Sequence, residues 1–336
     1  MDDFNQLFAL LKDDEAAQQC TRVCARLSDL FLKLPAEATT ALFESDHCVP
    51  ALLHVIQREE KGDDGILDTG TRGDVAAAWA GALNALKILL PGLSCSVKQS
   101  LLCGDKGIVR CLLRVLGDFK GQAAWDIACQ CFSDIFTGTS THCREALLSD
   151  GRCIVDTIVG VLEGDEAAAW ASAGTALNIF LSEISVSTKQ LLLSGENGVV
   201  VRIIRVLNDG SQRCGAFSSA SSFMSNIIAG VPLSLKSVFL VSQPQLVGIL
   251  ISLLETEDAH TCWEGAMTLL KRLVYQEASL VHINFCTLDF LKKDRGLIAV
   301  LLRCSHEFID ADNTRFHSLC LAFRQLTFKT SNFRPK

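Results

Sequence analysis

A bulky ring returns at a nearly fixed interval along this chain. Trp79, Trp125, Trp170, Phe217 and Trp263 follow one another at steps of 46, 45, 47 and 46 residues. A period of this size marks a solenoid, in which each repeat cannot bury its own apolar face and stacked copies share one core. Cys20 and Phe316 extend the column at steps of 59 and 53, which imply insertions. Three residues after the ring column stand Val23, Ala82, Ala128, Ala173, Ala220, Ala266 and Leu319. Seven residues after it stand Leu27, Leu86, Phe132, Leu177, Met224, Leu270 and Phe323, and ten after it Leu30, Leu89, Ile135, Phe180, Ile227, Leu273 and Leu326. Every one is apolar, and offsets of three, seven and ten share one face of an α-helix. Each repeat therefore contributes one amphipathic helix, with alanine at the first offset leaving room for a close neighbour. The rings lie on that same face, so Trp125 and Trp170 are expected to be buried between neighbouring repeats; a peptide-stacking ladder of rings is the alternative.

A second helix precedes each ring-bearing one. It reads IVRCLLRVL from Ile108, IVDTIVGVL from Ile154 and VVVRIIRVL from Val199, then QLVGILISLL from Gln245 and LIAVLLRC from Leu297. These segments are apolar on most sides, as helices between layers are. A short first helix is suggested by VKQSLLCG, TKQLLLSG and LKSVFLVS, beginning at Val97, Thr188 and Leu235. Gly107, Gly151 and Gly198 fall in the turn before the second helix. The turns before the ring-bearing helices are acidic or Asn-rich: Asp13-Asp14, Gly164-Asp165, Asn208-Asp209-Gly210 and Glu257-Asp258. Asp and Asn there are expected to cap the free N–H groups of the helix that follows.

Three helices per repeat, with a phrase such as GENGVVVRIIRVLNDGSQ followed by FMSNIIAG, resemble the armadillo repeat family. The matching pattern is Gly, an apolar run ending in Leu, a polar turn, then small-apolar-x-Asn-apolar, and it covers nearly the whole chain. The resemblance implies an all-α, right-handed superhelical solenoid of about seven repeats whose third helices line a concave groove. The repeats fall roughly at 1–34, 35–91, 92–138, 139–184, 185–231, 232–277 and 278–330, with a flexible charged insertion at 58–74 and a basic tail at 331–336. The N-terminus, MDDFNQLFALLKDDE, reads as the second helix of a truncated first repeat.

Composition narrows the function. No run reaches the length of apolar residues that a membrane span needs, and the acidic N-terminus lacks the basic start of a signal peptide. Fifteen cysteines are present. Most sit inside helical apolar patterns, no CxxC pair occurs, and the His residues are scattered, so small buried hydrophobes are expected rather than metal ligands. Reduced thiols without a signal peptide point to the cytosol or nucleus. Residues 1–168 carry 15 Lys+Arg against 25 Asp+Glu, and residues 169–336 carry 16 against 13, which sums to the net −7. That acidity argues against nucleic acid as a partner. No GxSxG, HExxH or phosphate loop is present, so neither an enzyme nor a cofactor is expected.

The solvent-facing offsets of the third helix are where a partner would bind. The resemblance implies that the Asn of the small-apolar-x-Asn phrase clamps the backbone of an extended peptide. Asn226 matches that place, Asp29 and Asp134 occupy it in other repeats, and Asn178 lies one residue away. The importin pairing of Trp with Asn four residues later is replaced by Leu83, Cys129 and Gly174, which speaks against nuclear-import cargo. The expected groove is Asp29, Asn84, Lys87, Gln130, Asp134, Asn178, Asn226, Lys271 and Arg272, acidic early and basic late. The expected role is a protein-interaction scaffold or adaptor with a protein or peptide partner. The alternative is an assembly chaperone or regulator that grips a folded protein such as a small GTPase, and a solvated helix face with no partner also fits.

Overall fold

The computed structural model describes residues 2–12, 17–45, 47–57, 69–103, 107–117, 122–149, 154–194, 198–209, 213–255 and 260–274. All regular structure among them is helical. The chain opens with α1 (Asp2–Lys12) and α2 (Ala17–Phe31). Five helix trios follow. They are α3 (Ala36–Glu44), α4 (Cys48–Gln57) and α5 (Thr69–Leu89), then α6 (Cys95–Cys103), α7 (Ile108–Gly117) and α8 (Gln122–Phe136). Next come α9 (Thr141–Ser149), α10 (Ile154–Glu163) and α11 (Ala167–Leu181). The last two trios are α12 (Val186–Leu193), α13 (Val199–Asn208) and α14 (Cys214–Ile228), and α15 (Leu233–Ser242), α16 (Gln245–Glu255) and α17 (His260–Val274). The repeat at 278–330 with Phe316, and the tail at 331–336, lie outside the described residues, as do the side chains of Trp263 and Lys271.

The chain divides into two compact units, Met1–Ser182 and Glu183–Lys336. In the first, the ring-bearing helices α2, α5, α8 and α11 pack each against the next, and α1, α4, α7 and α10 form a second row. In the second unit α14 packs on α17 and α13 on α16. Each pairing repeats the same register of apolar faces, which is why a single period in the sequence suffices to build the stack.

The apolar columns form the core. Every described position at offsets three, seven and ten is buried except Leu30, which is half-buried. Trp79, Trp125 and Phe217 are 4%, 2% and 0% exposed, which leaves no ring face there for a ligand to stack on. The Trp125 indole donates from Nε1 to Val115 O of α7 at 3.0 Å, so the ring also ties the second helix of its own repeat to the third. Trp170 is less completely covered than Trp79, Trp125 and Phe217. It is half-buried and donates from Nε1 to Gly164 O just past α10.

Small residues set the closest approaches. A Cβ on Gly164 would lie 2.6 Å from Trp125 Cζ3, so only glycine fits beside that ring. A Cβ on Gly81 of α5 would lie 3.1 Å from Cys24 Cβ of α2. Gly107 and Gly198 take φ of 70° and 69° immediately before α7 and α13, a left-handed conformation that other residues adopt at a cost of about 1–2 kcal/mol.

Two local expectations are corrected. The segment 69–74 of the expected flexible insertion is the start of α5, while 58–68 lies outside the described residues. The side chain at the cap position of α11 (Glu166) or of α14 (Arg213) makes no capping bond. Serines cap three of the short first helices: Ser94, Ser140 and Ser185 accept from the N–H groups of Val97, Cys143 and Thr188, while Pro35 and Pro232 precede α3 and α15. Those turns have room for the short serine side chain to fold back onto the third N–H of the helix.

Trp125→Ala should cost about 3–5 kcal/mol in chemical denaturation, as for other buried large-to-small changes. Trp170→Ala should cost less because that ring is less completely covered. Equal losses at the two sites would contradict the burial difference.

Candidate functional site

A helix leaves its last four carbonyls without intrahelical partners, and they carry the negative end of the helix dipole. Here a side chain from the first helix of the repeat reaches those part-buried ends and adds a charged donor. Each of four repeats supplies one cation. Lys98 Nζ of α6 donates to Thr137 O at 3.3 Å, beyond the end of α8. Arg144 Nη1 of α9 donates to Ile179 O and Phe180 O of α11, and to Ser182 Oγ at 2.7 Å. In the second unit Lys189 Nζ of α12 donates to Ala229 O at 2.9 Å, and Lys236 Nζ of α15 to Arg272 O at 2.6 Å. Lys98, Arg144 and Lys236 are 5%, 4% and 2% exposed. Burying a charge is costly unless it is hydrogen-bonded. The apolar stems of these side chains fill core volume while their heads meet carbonyl dipoles.

Each cation is the fourth residue of its helix, and Thr39 holds the same place in α3. The sequence reading missed this column. Its signal was present in VKQSLLCG, TKQLLLSG and LKSVFLVS, where Lys recurs at one position among apolar neighbours. With the last turn of each ring-bearing helix held this way, the polar positions along that helix come to defined heights.

In the first unit Asp29 on α2 and Asn84 on α5 are exposed, and Lys87 on α5, Gln130 and Asp134 on α8 and Asn178 on α11 are half-buried. In the second unit Asn226 on α14 and Arg272 on α17 are half-buried.

Two of these positions have structural duties the sequence did not announce. Gln130 Nε2 donates to Asp126 Oδ2 at 2.9 Å and to Ser172 Oγ at 3.4 Å, while Ser172 Oγ donates to Asp126 Oδ1. The triangle closes the step between α8 and α11 and engages both N–H groups of the Gln130 amide. Asp126 and Ser172, one and two residues after their rings, were absent from the expected groove. Asp134 is the second case. Burial raises its carboxyl above the ordinary range, and the charges of Lys98 and then Lys87 pull back against that shift. Two lysines thus offset its charge, and in the first unit the expected acidic character of the groove rests on Asp29.

The described residues hold no group of three or more His, Cys, Asp or Glu placed to bind a metal ion. No helix among them is long and apolar enough to cross a membrane. Cys20, Cys24, Cys111, Cys129 and Cys131 are buried, with the thiol of Cys24 pushed up to about 12 by burial.

Asp134→Asn gives a signed test of the electrostatics. A carboxyl whose native pKa is raised binds its proton more tightly folded than unfolded, so it favours folding below the ordinary value of 3.8 and loses that contribution as pH rises through the raised native value. Above that window the carboxylate opposes folding. Asp134→Asn should therefore melt higher than the parent at neutral pH, with the difference shrinking as pH falls through the carboxylate range. A lower melting point for the variant at neutral pH would mean that attraction to the lysines outweighs burial.

No family model matches the chain, and no curated protein matches it. Solved structures do. Uso1-1 in its crystal structure aligns with 96% of this chain and 51% of its own, at 12% identity and a TM-score of 0.53. Kap95p, whose binding induces the switch loops of RanGDP to adopt the GTP-bound conformation, aligns over 96% of this chain and 36% of its own, at 11% identity and a TM-score of 0.44. The chain thus spans about half the length of Uso1-1 and about a third of Kap95p. The likeness to Uso1-1 speaks for the fold alone, and the lower score of the second adds nothing to it. The chain has an α-helical repeat fold.

Proposed function

We propose that this chain is a non-enzymatic interaction scaffold of the armadillo kind, a right-handed superhelix of about seven repeats that holds an extended segment of a partner protein along its third helices. The observation that carries this reading is the row of polar residues on consecutive ring-bearing helices of the first unit: Asn84 and Lys87, then Gln130 and Asp134, then Asn178. Packed helices lie about 8–10 Å apart and an extended chain rises about 3.3 Å per residue, so each helix meets roughly three residues of a bound segment. Asn84 offers donor and acceptor to the backbone of such a segment, which fixes register without demanding one sequence. Lys87 adds a cation at its side, and Asn226 and Arg272 repeat the amide and cation types in the second unit.

A second reading is a regulator that grips a folded protein such as a small GTPase. It is favoured by apolar side chains on the short first helices, away from the polar row: Val186 and Leu191 of α12 are 43% and 56% exposed, and Val238 and Val241 of α15 are each 66% exposed.

Selection of a random peptide library against the full chain tests the first reading. Selected peptides should bind the parent and lose about fivefold or more on the double change Asn84→Ala with Lys87→Ala, since two hydrogen bonds at about 0.5–1.5 kcal/mol each sum to about 1–3 kcal/mol. The melting temperature should fall only slightly, by the loss of the Lys87 charge beside Asp134. Selected peptides indifferent to that double change but weakened by Leu191→Asp or Val238→Asp would move binding off the polar row and favour the folded-partner reading.

A further inference from the structure

Cys214 is the first residue of α14 and Cys262 the third residue of α17, and neither is in a disulfide. The two helices approach most closely at Gly265, where a Cβ would fall 2.9 Å from Phe217 Cε1 and 3.0 Å from Ser221 Oγ. Cys262 stands one turn before Gly265, and Cys214 one turn before Phe217. The close approach that only glycine permits therefore carries the two cysteines toward one another, and their thiols are hydrogen-bonded. Their surroundings differ. Cys262 is 0% exposed, while Cys214 is half-buried and reachable from solvent.

We propose that Cys214 and Cys262 form a redox modification site, in which a peroxide oxidises Cys214 and Cys262 resolves it to a disulfide that staples α14 to α17. The Cys214 thiolate attacks one oxygen of hydrogen peroxide, the O–O bond breaks, and a sulfenic acid and hydroxide result, the hydroxide taking up the proton that the thiol released to become water. Cys262 sulfur then attacks the Cys214 sulfur. The S–O bond breaks, and the departing hydroxyl takes the Cys262 proton as a second water. Two thiols and one peroxide become one disulfide and two waters. The division of labour follows from access. Buried thiols are inert toward solvent oxidants, so Cys214 must be the entry point. Burial pushes the Cys262 thiol up to about 12, which keeps it protonated until the neighbouring sulfenic acid offers an oxygen to receive that proton. The other neighbouring cysteines, Cys20 with Cys24 and Cys129 with Cys131, are all buried and lack such an entry. A disulfide holds its Cβ atoms about 3.8 Å apart, so the bridge would fix the spacing of two helices whose outer faces carry Asn226 and Arg272.

The test treats the reduced full-length chain with hydrogen peroxide, blocks remaining thiols with a maleimide under denaturing conditions, and maps unreduced peptides by mass spectrometry. The expected product is a peptide pair joined through Cys214 and Cys262, two hydrogens lighter than the separate peptides and released by a thiol reductant. Cys262→Ala should instead accumulate Cys214 sulfenic acid, trapped by dimedone, and Cys214→Ala should leave Cys262 alkylated. The oxidised parent should melt higher than the reduced one, and Cys214→Ala should abolish that rise. If Cys262→Ala fails to fold, the parent map and the Cys214→Ala melting curve decide alone. Sulfinic acid at Cys214 with Cys262 still a free thiol in the parent, or bridges joining other cysteines in preference to this pair, would overturn the proposal.

Discussion

The contact on which four of the five described helix trios depend is a cation reaching the end of a helix. Thr137, Ile179, Ala229 and Arg272 present carbonyls at or near the ends of α8, α11, α14 and α17, and Lys98, Arg144, Lys189 and Lys236 meet them. Without such a donor the part-buried carbonyls would lose a charged hydrogen bond that apolar packing does not replace. The contact also joins the first helix of a repeat to the third, which the short α6, α9, α12 and α15 could not secure through their modest apolar faces alone. A helix of eight to ten residues is marginal by itself. One charge in each of these four trios thus orders the element that sequence alone makes weakest.

The polar row follows from that arrangement. Side chains at fixed offsets from the ring reach solvent at matching heights only if successive third helices stand in register. Their register is set on one side by ring packing, such as Trp125 against Gly164, and at the helix end by the cation. The same row is partly consumed by its own maintenance. Gln130 is tied to Asp126 and Ser172, and the charge of Asp134 is opposed by Lys87 and Lys98. Asn84 stands apart from those ties and Lys87 shares only the Asp134 charge, which is why the two carry the binding proposal.

The core was legible in the sequence because burial on a helix repeats at 3.6 residues and burial in a solenoid repeats per unit, so the two periods reinforce each other at Ala128, Phe132 and Ile135 and at their counterparts. The second and first helices were legible for the same reason, from IVRCLLRVL and VKQSLLCG. The cation column was not, because a lysine among apolar residues on a short helix reads as a solvated side chain, and only three-dimensional placement reveals a carbonyl waiting for it. The half-burial of Trp170 was equally invisible, since the ring column does not say how much covers each ring. The cap positions of α11 and α14 are Glu166 and Arg213, whose side chains make no capping bond, while Ser94, Ser140 and Ser185 cap three of the short first helices. The triangle of Asp126, Gln130 and Ser172 joins residues 42 and 46 positions apart, so no local pattern contains it.

Replacing the cation while keeping its length tests the account most directly. Arg144→Met and Lys236→Met preserve apolar stem volume and remove the donor, so the carbonyls of Phe180 and Arg272 lose that charged hydrogen bond. Urea denaturation should show each variant weaker by about 1.5–3 kcal/mol, the range for a hydrogen bond to a charged group, and hydrogen exchange should quicken first in the last turns of α11 and α17. Variants as stable as the parent, with unchanged exchange at those helix ends, would contradict the claim that these cations hold the repeat together.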